Sequence, residues 1–361
     1  MRSYYDYLMG IHRKILFLTG SPNQTSQMMQ IAAALPEYDC RFSQVFTDAP
    51  LLRFLTEHTN LVDKTIIAKP FRQKAEALLR QEGKRIDYRA LDGIYDLVVF
   101  CSDLIVPHRM RKTRTLWVQE GMIDKYTVLS RLVQKLNLPP HLCFNTSLNG
   151  STNACDVYCA ASEGYKNYIS GLGTERDKIL VTGIPNYDHV AQYRDNDFPY
   201  RDYVMVATTD MRETARVENR PRFIRETVAI AQGRPMLFKL HPNEKKERAI
   251  KEIRKYAPAD ALIFQEGNTH HMIANCSELI TQYSTVVYTG IALGKKVHSW
   301  FDLDTLKRQV PIQNQGTSAL NIAQVCRDFL LFKGPKSDFK TQYSYHPVAL
   351  PQYELAAAGN L

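Results

Sequence analysis

Eleven short strand-like runs, at residues 15–18, 41–46, 95–101, 114–119, 156–160, 178–181, 203–207, 236–240, 262–264, 279–281 and 296–300, alternate with turns and helix-period segments. That alternation predicts parallel sheets in an α/β protein. Helices are expected at 27–35, 75–80, from 163 through 169, and at 222–232, 245–256, 270–275, 286–293 and 319–331. No repeat of solenoid length and no low-complexity segment interrupts the pattern.

A chain of 361 residues is long for one core and implies two domains. The polar stretch with Asp195, Asn196, Asp197 and Pro199 breaks the alternation and reads as a linker. The division is therefore an N-terminal Rossmann-like domain at 1–190, a linker at 191–200, a C-terminal Rossmann-like domain at 201–335, and a tail at 336–361. The tail carries Pro347 and Pro351 and is expected to be irregular, ending in a short helix or coil.

The hydrophobic share is 44% and the charged share 23%, as in ordinary soluble proteins. No apolar run approaches the ~20 residues of a membrane span. The opening stretch 1–7 lacks a signal-peptide core, so a cytoplasmic protein is expected. The seven cysteines are scattered. Cys155 and Cys159 are spaced as on one helix face and not as a zinc-type C-x-x-C, so free buried thiols are expected.

Net charge is +9. The densest basic run, with Arg109, Arg111, Lys112 and Arg114, lacks the interleaved aromatics of a single-strand groove, and no nucleic-acid partner is expected. It is either a solvated loop or a face toward phosphate or the anionic inner surface of a membrane.

Two turns carry the chemistry. The run 235–238 leads straight into Lys239, Leu240, His241, Pro242 and Asn243, delivering a cation and an imidazole to a strand's carboxyl end, where open α/β sheets bind ligands. Downstream, Tyr283, Ser284 and Thr285 form a hydroxyl-rich turn between a strand and a helix, beside unpaired backbone N–H groups. Two such turns suggest a nucleotide phosphate held between them. Thr208 and Thr209 end the first strand of this half, with Asp210 as a possible cap. Glu266 follows strand 262–264 and reads either as a base or ribose ligand or as a turn residue.

Together these features resemble the GT-B fold: two Rossmann-like domains with parallel sheets facing across a cleft. Residues 239–243 look like the "HP" motif of transferases with cytidine-nucleotide donors, namely capsule Kdo transferases, bacterial sialyltransferases and CDP-glycerol glycerophosphotransferases. The segment 279–297 is similar to the serine-rich phosphate turn of that group. Residues 156–188 look like the end of the first domain in envelope-polymer transferases and in hydrolysing UDP-GlcNAc 2-epimerases. The likeness covers roughly residues 150–300 well, and the first 150 only in outline.

The resemblance implies a glycosyltransferase that moves a sugar or polyol phosphate from a nucleotide donor to a cell-envelope or capsule glycan, or to a lipid-linked acceptor. The donor would be a CMP-sugar or CDP-linked, with a UDP-sugar as the second choice. His241 would sit at the donor phosphate or sugar. Ser284 and Thr285 would bind phosphate oxygens, with Thr208, Thr209, Lys239, Pro242, Asn243, Glu266 and Tyr283 around them. GT-B enzymes usually need no metal, and no cofactor is expected. The chain shows no D-x-D or His/Cys cluster, and adjacent His270 and His271 point apart on a helix.

The acceptor half departs from the glycerophosphotransferase pattern. Where that family has His-Gly after a strand, this chain has Gln119, Glu120 and Gly121. Glu120 is either the acceptor base or a helix-start or salt-bridge contact, with Asp124 or the Gly20 loop as fallback sources of the base. Gly20 and Ser21 either bind acceptor or only turn the chain. Ser162 reads as an N-cap. Residues 186–188, Asn186 to Asp188, read as hinge support. His298 and Trp300 read as strand packing. An isomerase of the 2-epimerase type is the alternative, although Tyr283 to Thr285 replace its Gly-rich turn. A non-catalytic binding protein is the third reading.

Overall fold

In the computed structural model, residues 13–50, 53, 69–213 and 216–348 are described. The opening stretch 1–7 and the part of the tail beyond 348 lie outside them. All eleven expected strands form, in two sheets whose pairs are all parallel. The first holds β1 (Lys14–Thr19), β2 (Asp39–Gln44), β3 (Leu97–Phe100), β4 (Arg114–Val118), β5 (Val157–Ala160) and β6 (Ile179–Val181), in the order β2-β1-β3-β4-β5-β6. The second holds β7 (Val204–Ala207), β8 (Met236–Lys239), β9 (Leu262–Phe264), β10 (Glu278–Thr281) and β11 (Lys296–His298), in the order β11-β10-β7-β8-β9.

Every residue of β3, β5, β7, β8 and β10 is buried. Strands covered on both faces have no polar side to alternate with, which is why they read as continuous apolar runs. In each sheet the strand order reverses once, between β1 and β3 and between β7 and β10. Crevices at such reversals, outside the carboxyl ends of the strands, are where doubly wound sheets bind ligands.

The helices are α1 (Pro22–Ala33), α2 (Lys69–Gln81), α3 (Val128–Lys135), α4 (Glu163–Leu172), α5 (Arg220–Ala231), α6 (Lys246–Tyr256), α7 (Thr269–Asn275), α8 (Val286–Ala292), α9 (Leu303–Gln309), α10 (Ser318–Leu331) and α11 (Phe339–Gln342). Helix α1 begins five residues before the expected 27. Ser21 caps it by accepting from the Gln24 N–H at 3.2 Å, and Pro22 sits where its missing N–H costs nothing. Helices α3 and α9 had no counterpart in the sequence reading. The expected linker is partly structured: Val190–Arg194 is a 3₁₀ turn. Asn196 exchanges amide hydrogen bonds of 3.0 Å with Asn275, tying this stretch to the second half.

Helix α10, read in sequence as part of the second domain, lies against the first sheet. Ile322, Val325, Cys326 and Phe329 share a core with Ile15, Phe17, Met28 and Leu116. Each such buried side chain contributes roughly 1.5–3 kcal/mol, enough to bring the end of the chain back onto the first half. The seven thiols are unpaired and six are buried.

Candidate functional site

The loops after β7, β8 and β10 converge at the reversal of the second sheet. They line a cavity of about 510 Å³ whose wall includes Thr208, Lys239, Leu240, His241, Pro242, Ser284 and Thr285. Asn23, Asn186, Tyr187 and Tyr193 of the preceding part of the chain close the other side.

The His-Pro turn is held from beneath. Buried Glu244 accepts from the His241 backbone N–H at 3.0 Å, from the Thr208 hydroxyl, and from Arg220 Nη2 at 2.6 Å. Arg220 is itself fully buried and paired with Glu218 at 2.6 Å. The His241 ring is left partly exposed. Its Nδ1 accepts from the Asn243 N–H at 3.2 Å, so the neutral ring carries its proton on Nε2.

Several expected donor ligands serve other ends. The buried ammonium of Lys239 borders the cavity but donates to the Leu240 and Gln265 carbonyls, at 2.9 and 3.1 Å. Burial lowers its pKa. Thr209 is buried and does not border the cavity, and its carbonyl accepts from Arg220 at 3.0 Å. Asn243 donates its side-chain amide to Asp210 at 3.0 Å. Glu266 is exposed and pairs with Lys246. The Tyr283 hydroxyl donates to Asp124 of the first half, while the Arg216 guanidinium lies 4.0 Å over the Tyr283 ring and 3.3 Å from Asp124. These three form a latch between the halves. Asp124 is buried there and also accepts from the Thr146 N–H at 2.9 Å.

The acceptor-side residues gather at the carboxyl end of β4. Gln119, Glu120 and Gly121 line a small cavity of about 120 Å³, together with Ser102 after β3. This cavity and the larger one share Asn23, Asn186, Tyr187 and Thr285 in their walls. The Glu120 carboxylate accepts from Gln24 Nε2 at 2.7 Å and from Ser21 Oγ at 3.3 Å. Burial pushes its pKa up, and these two hydrogen bonds pull it back in part. Both donors are neutral, so no paired cation pulls it down further.

Gln119 is held by backbone on both sides of its amide. Its amide donates to the Gly121 carbonyl at 2.8 Å and accepts from the Ala161 N–H at 2.9 Å. Gly121 needs no positive φ; a Cβ there would come 3.3 Å from Thr285 Cγ2, so glycine permits close approach of the two halves. Gly20 donates its N–H to Gln24 at 2.8 Å. Neither it nor Ser21 borders a described cavity. Both serve to set Gln24 and Glu120.

Sequence reasoning missed Gln24, Arg220, Glu244 and the pair Tyr193–His270. Those two rings stack with centroids 4.6 Å apart at the cavity wall. Burial lowers the His270 pKa, so its ring is neutral near pH 7. Asn186 and Tyr187, read as hinge support, line both cavities. Ser162 caps α4 as expected, accepting from the Tyr165 N–H at 3.3 Å. His298 pairs with buried Glu278.

A larger hollow, about 1450 Å³, lies elsewhere, between residues following β3 and the segment around α3. None of the cleft side chains above lines it, and size alone does not make it the candidate site. Among the described residues, no three His, Cys, Asp or Glu side chains cluster as metal ligands.

No protein-family model matches the chain, and no curated protein matches it in sequence. Solved structures do match. UDP-GlcNAc 2-epimerase from Neisseria meningitidis bound to UDP-GlcNAc is 11% identical, with 87% of this chain and 100% of that chain covered, at a TM-score of 0.51. The S. aureus MnaA–UDP co-structure is 11% identical over 90% and 99% of the two chains, at a TM-score of 0.52. The wall teichoic acid polymerase TagF is a weaker match, 10% identical over 91% and 96%, at a TM-score of 0.47. At these identities the likeness concerns the fold alone: this chain has the GT-B fold, two Rossmann-like domains with parallel sheets facing across a cleft.

Proposed function

We propose that this protein is a GT-B glycosyltransferase that moves a sugar, or a polyol phosphate, from a nucleotide-activated donor to a cell-envelope or capsule glycan. The observation that carries this reading is the convergence of His241, Ser284, Thr285 and Thr208 on one cavity that adjoins the cavity holding Glu120. Hydroxyls and an Nε2–H donor suit phosphate oxygens, and a neutral donor can stabilise charge developing on a departing phosphate. A partly buried carboxylate without a paired cation suits the removal of an acceptor proton. Glu120 is the proposed base, and His241 the proposed group at the leaving phosphate. The His-Pro turn favours a cytidine-linked donor. The acceptor is a glycan at the inner face of the membrane.

Thermal unfolding with CMP, CDP, UDP, GDP and ATP tests the donor side. A true ligand at about 100-fold excess over its dissociation constant adds roughly 2.7 kcal/mol. A shift with the cytidine nucleotides is expected. A shift with UDP alone replaces the donor assignment by a UDP-sugar, and no shift with any nucleotide defeats the enzyme reading. Product analysis with the shifting nucleotide's sugars then separates transfer, which needs an added glycan, from isomerisation, which does not.

A further inference from the structure

We propose that α3 and the basic turn beside it form a surface that docks on an anionic lipid bilayer. Helix α3 carries its apolar residues on the wrong face for a soluble domain. Ser130 and Val133 face inward, Ser130 Oγ lying 2.7 Å from Ser147 Oγ. Outward stand Val128, Leu132 and Leu136, at one-turn spacing and 76%, 48% and 62% exposed. Phe144 on the following loop is 68% exposed. Soluble monomers rarely leave such side chains grouped in the open. The helix is also firmly built, with a reciprocal capping box between Thr127 and Ser130, so the stripe sits on a fixed element.

Charge decides the occupant. Arg131 and Lys135 on α3, and Arg111 and Lys112 on the turn His108–Lys112, are exposed and form no ion pair among the described residues. Arg131 and Lys135 alternate with the stripe along the same helix, and they border one hollow together with Arg111, Leu138 and Phe144. Between residues 104 and 147 the only carboxylates are Glu120 and Asp124, and both are bonded inside the protein. Apolar side chains flanked by unpaired Lys and Arg are what an interfacial helix presents to acyl chains and anionic headgroups. A symmetric contact with a second copy would set these cations against themselves with no carboxylate between them. The surface uses none of the proposed donor or base residues, so its test is independent of theirs.

The test is co-sedimentation of the full chain with phosphatidylcholine vesicles, with and without about 30% phosphatidylglycerol. The protein is expected to pellet with the anionic vesicles and to stay in solution with the neutral ones. Leu132→Asn with Leu136→Asn, and separately Arg131→Glu with Lys135→Glu, should each weaken binding by at least ~tenfold. Circular dichroism and nucleotide-induced thermal shifts should stay as in the parent chain. Equal or absent binding to both vesicles overturns the proposal, as does binding that survives the apolar pair. A concentration-dependent dimer that the Leu132 and Leu136 substitutions dissolve overturns it in favour of self-association.

Discussion

The turn after β4 and the turn after β8 each bring a titratable side chain to the carboxyl end of a central strand, yet they are held by opposite means. Under His241 lies an ionic cluster: Arg220 between Glu218 and Glu244, all with side chains shut off from solvent. It grips the backbone and the Thr208 hydroxyl, and leaves the imidazole partly exposed with its Nδ1 held by the Asn243 N–H. Among the described residues Glu120 has no counterion, only the Gln24 amide and the Ser21 hydroxyl. Ions are used where a backbone must be fixed. The side chain proposed to exchange a proton is given neutral partners, which leave its pKa raised by burial.

The sharpest way to break this contrast is Glu120→Gln, which keeps the size and most hydrogen bonds but removes the basic site. Turnover is expected to fall by roughly 10²–10⁴-fold with nucleotide affinity nearly unchanged. Near-parental turnover would return Glu120 to a structural role. The parent enzyme should also lose activity as pH falls, along a limb above the usual carboxylate value of about 4.3. The sign follows from burial. Because the folded pKa is raised, the folded chain holds this proton to higher pH than the unfolded chain does. The group therefore costs stability as pH rises from the unfolded to the folded value, and the glutamine variant should lack both the limb and that cost.

Arg220→Ala probes the other half. It strands Glu244 inside the protein, while Glu218 keeps Arg212 at 3.3 Å, and breaking a buried pair this way costs about 3–5 kcal/mol. Urea unfolding measures it, and a loss under about 1 kcal/mol would mean that the cluster is not what holds the His-Pro turn. His241→Ala removes a proposed donor to a charged group. Nucleotide binding should weaken by about 1.5–3 kcal/mol, measured by titration calorimetry, with the unfolding midpoint kept. If the midpoint drops while affinity holds, the ring is structural. The smallest effect belongs to Ser284→Ala, about 0.5–1.5 kcal/mol of affinity. Unaltered affinity there would shift the phosphate contact to Thr285.

Strands β3, β5, β7, β8 and β10 were legible in sequence because they are covered on both faces and carry an apolar signal of their own. Helix α3 escaped that reading because its stripe of Val128, Leu132 and Leu136 faces solvent, and its inward positions include Ser130. Helix α9 is only seven residues long, too short for a clear period. At the site, naming every residue of a turn named too many. Thr208 borders the cavity and Thr209 does not, although both follow the same strand. Tyr283 is long enough to reach Asp124 in the other half, and its neighbours Ser284 and Thr285 are not.

What the sequence determined by itself is therefore local: the strand runs, the turns that end them, and the hydroxyls and His241 at those ends. Apolar pattern and turn chemistry act over a few residues and leave their mark in order along the chain. Tertiary structure alone decided that α10 returns to the first sheet, that Gly121 comes within reach of Thr285, and that Arg220 lies under the His-Pro turn. Each of these joins residues from separate elements through tertiary packing. No local pattern encodes such a meeting, because its energy is realised only when both surfaces are in place.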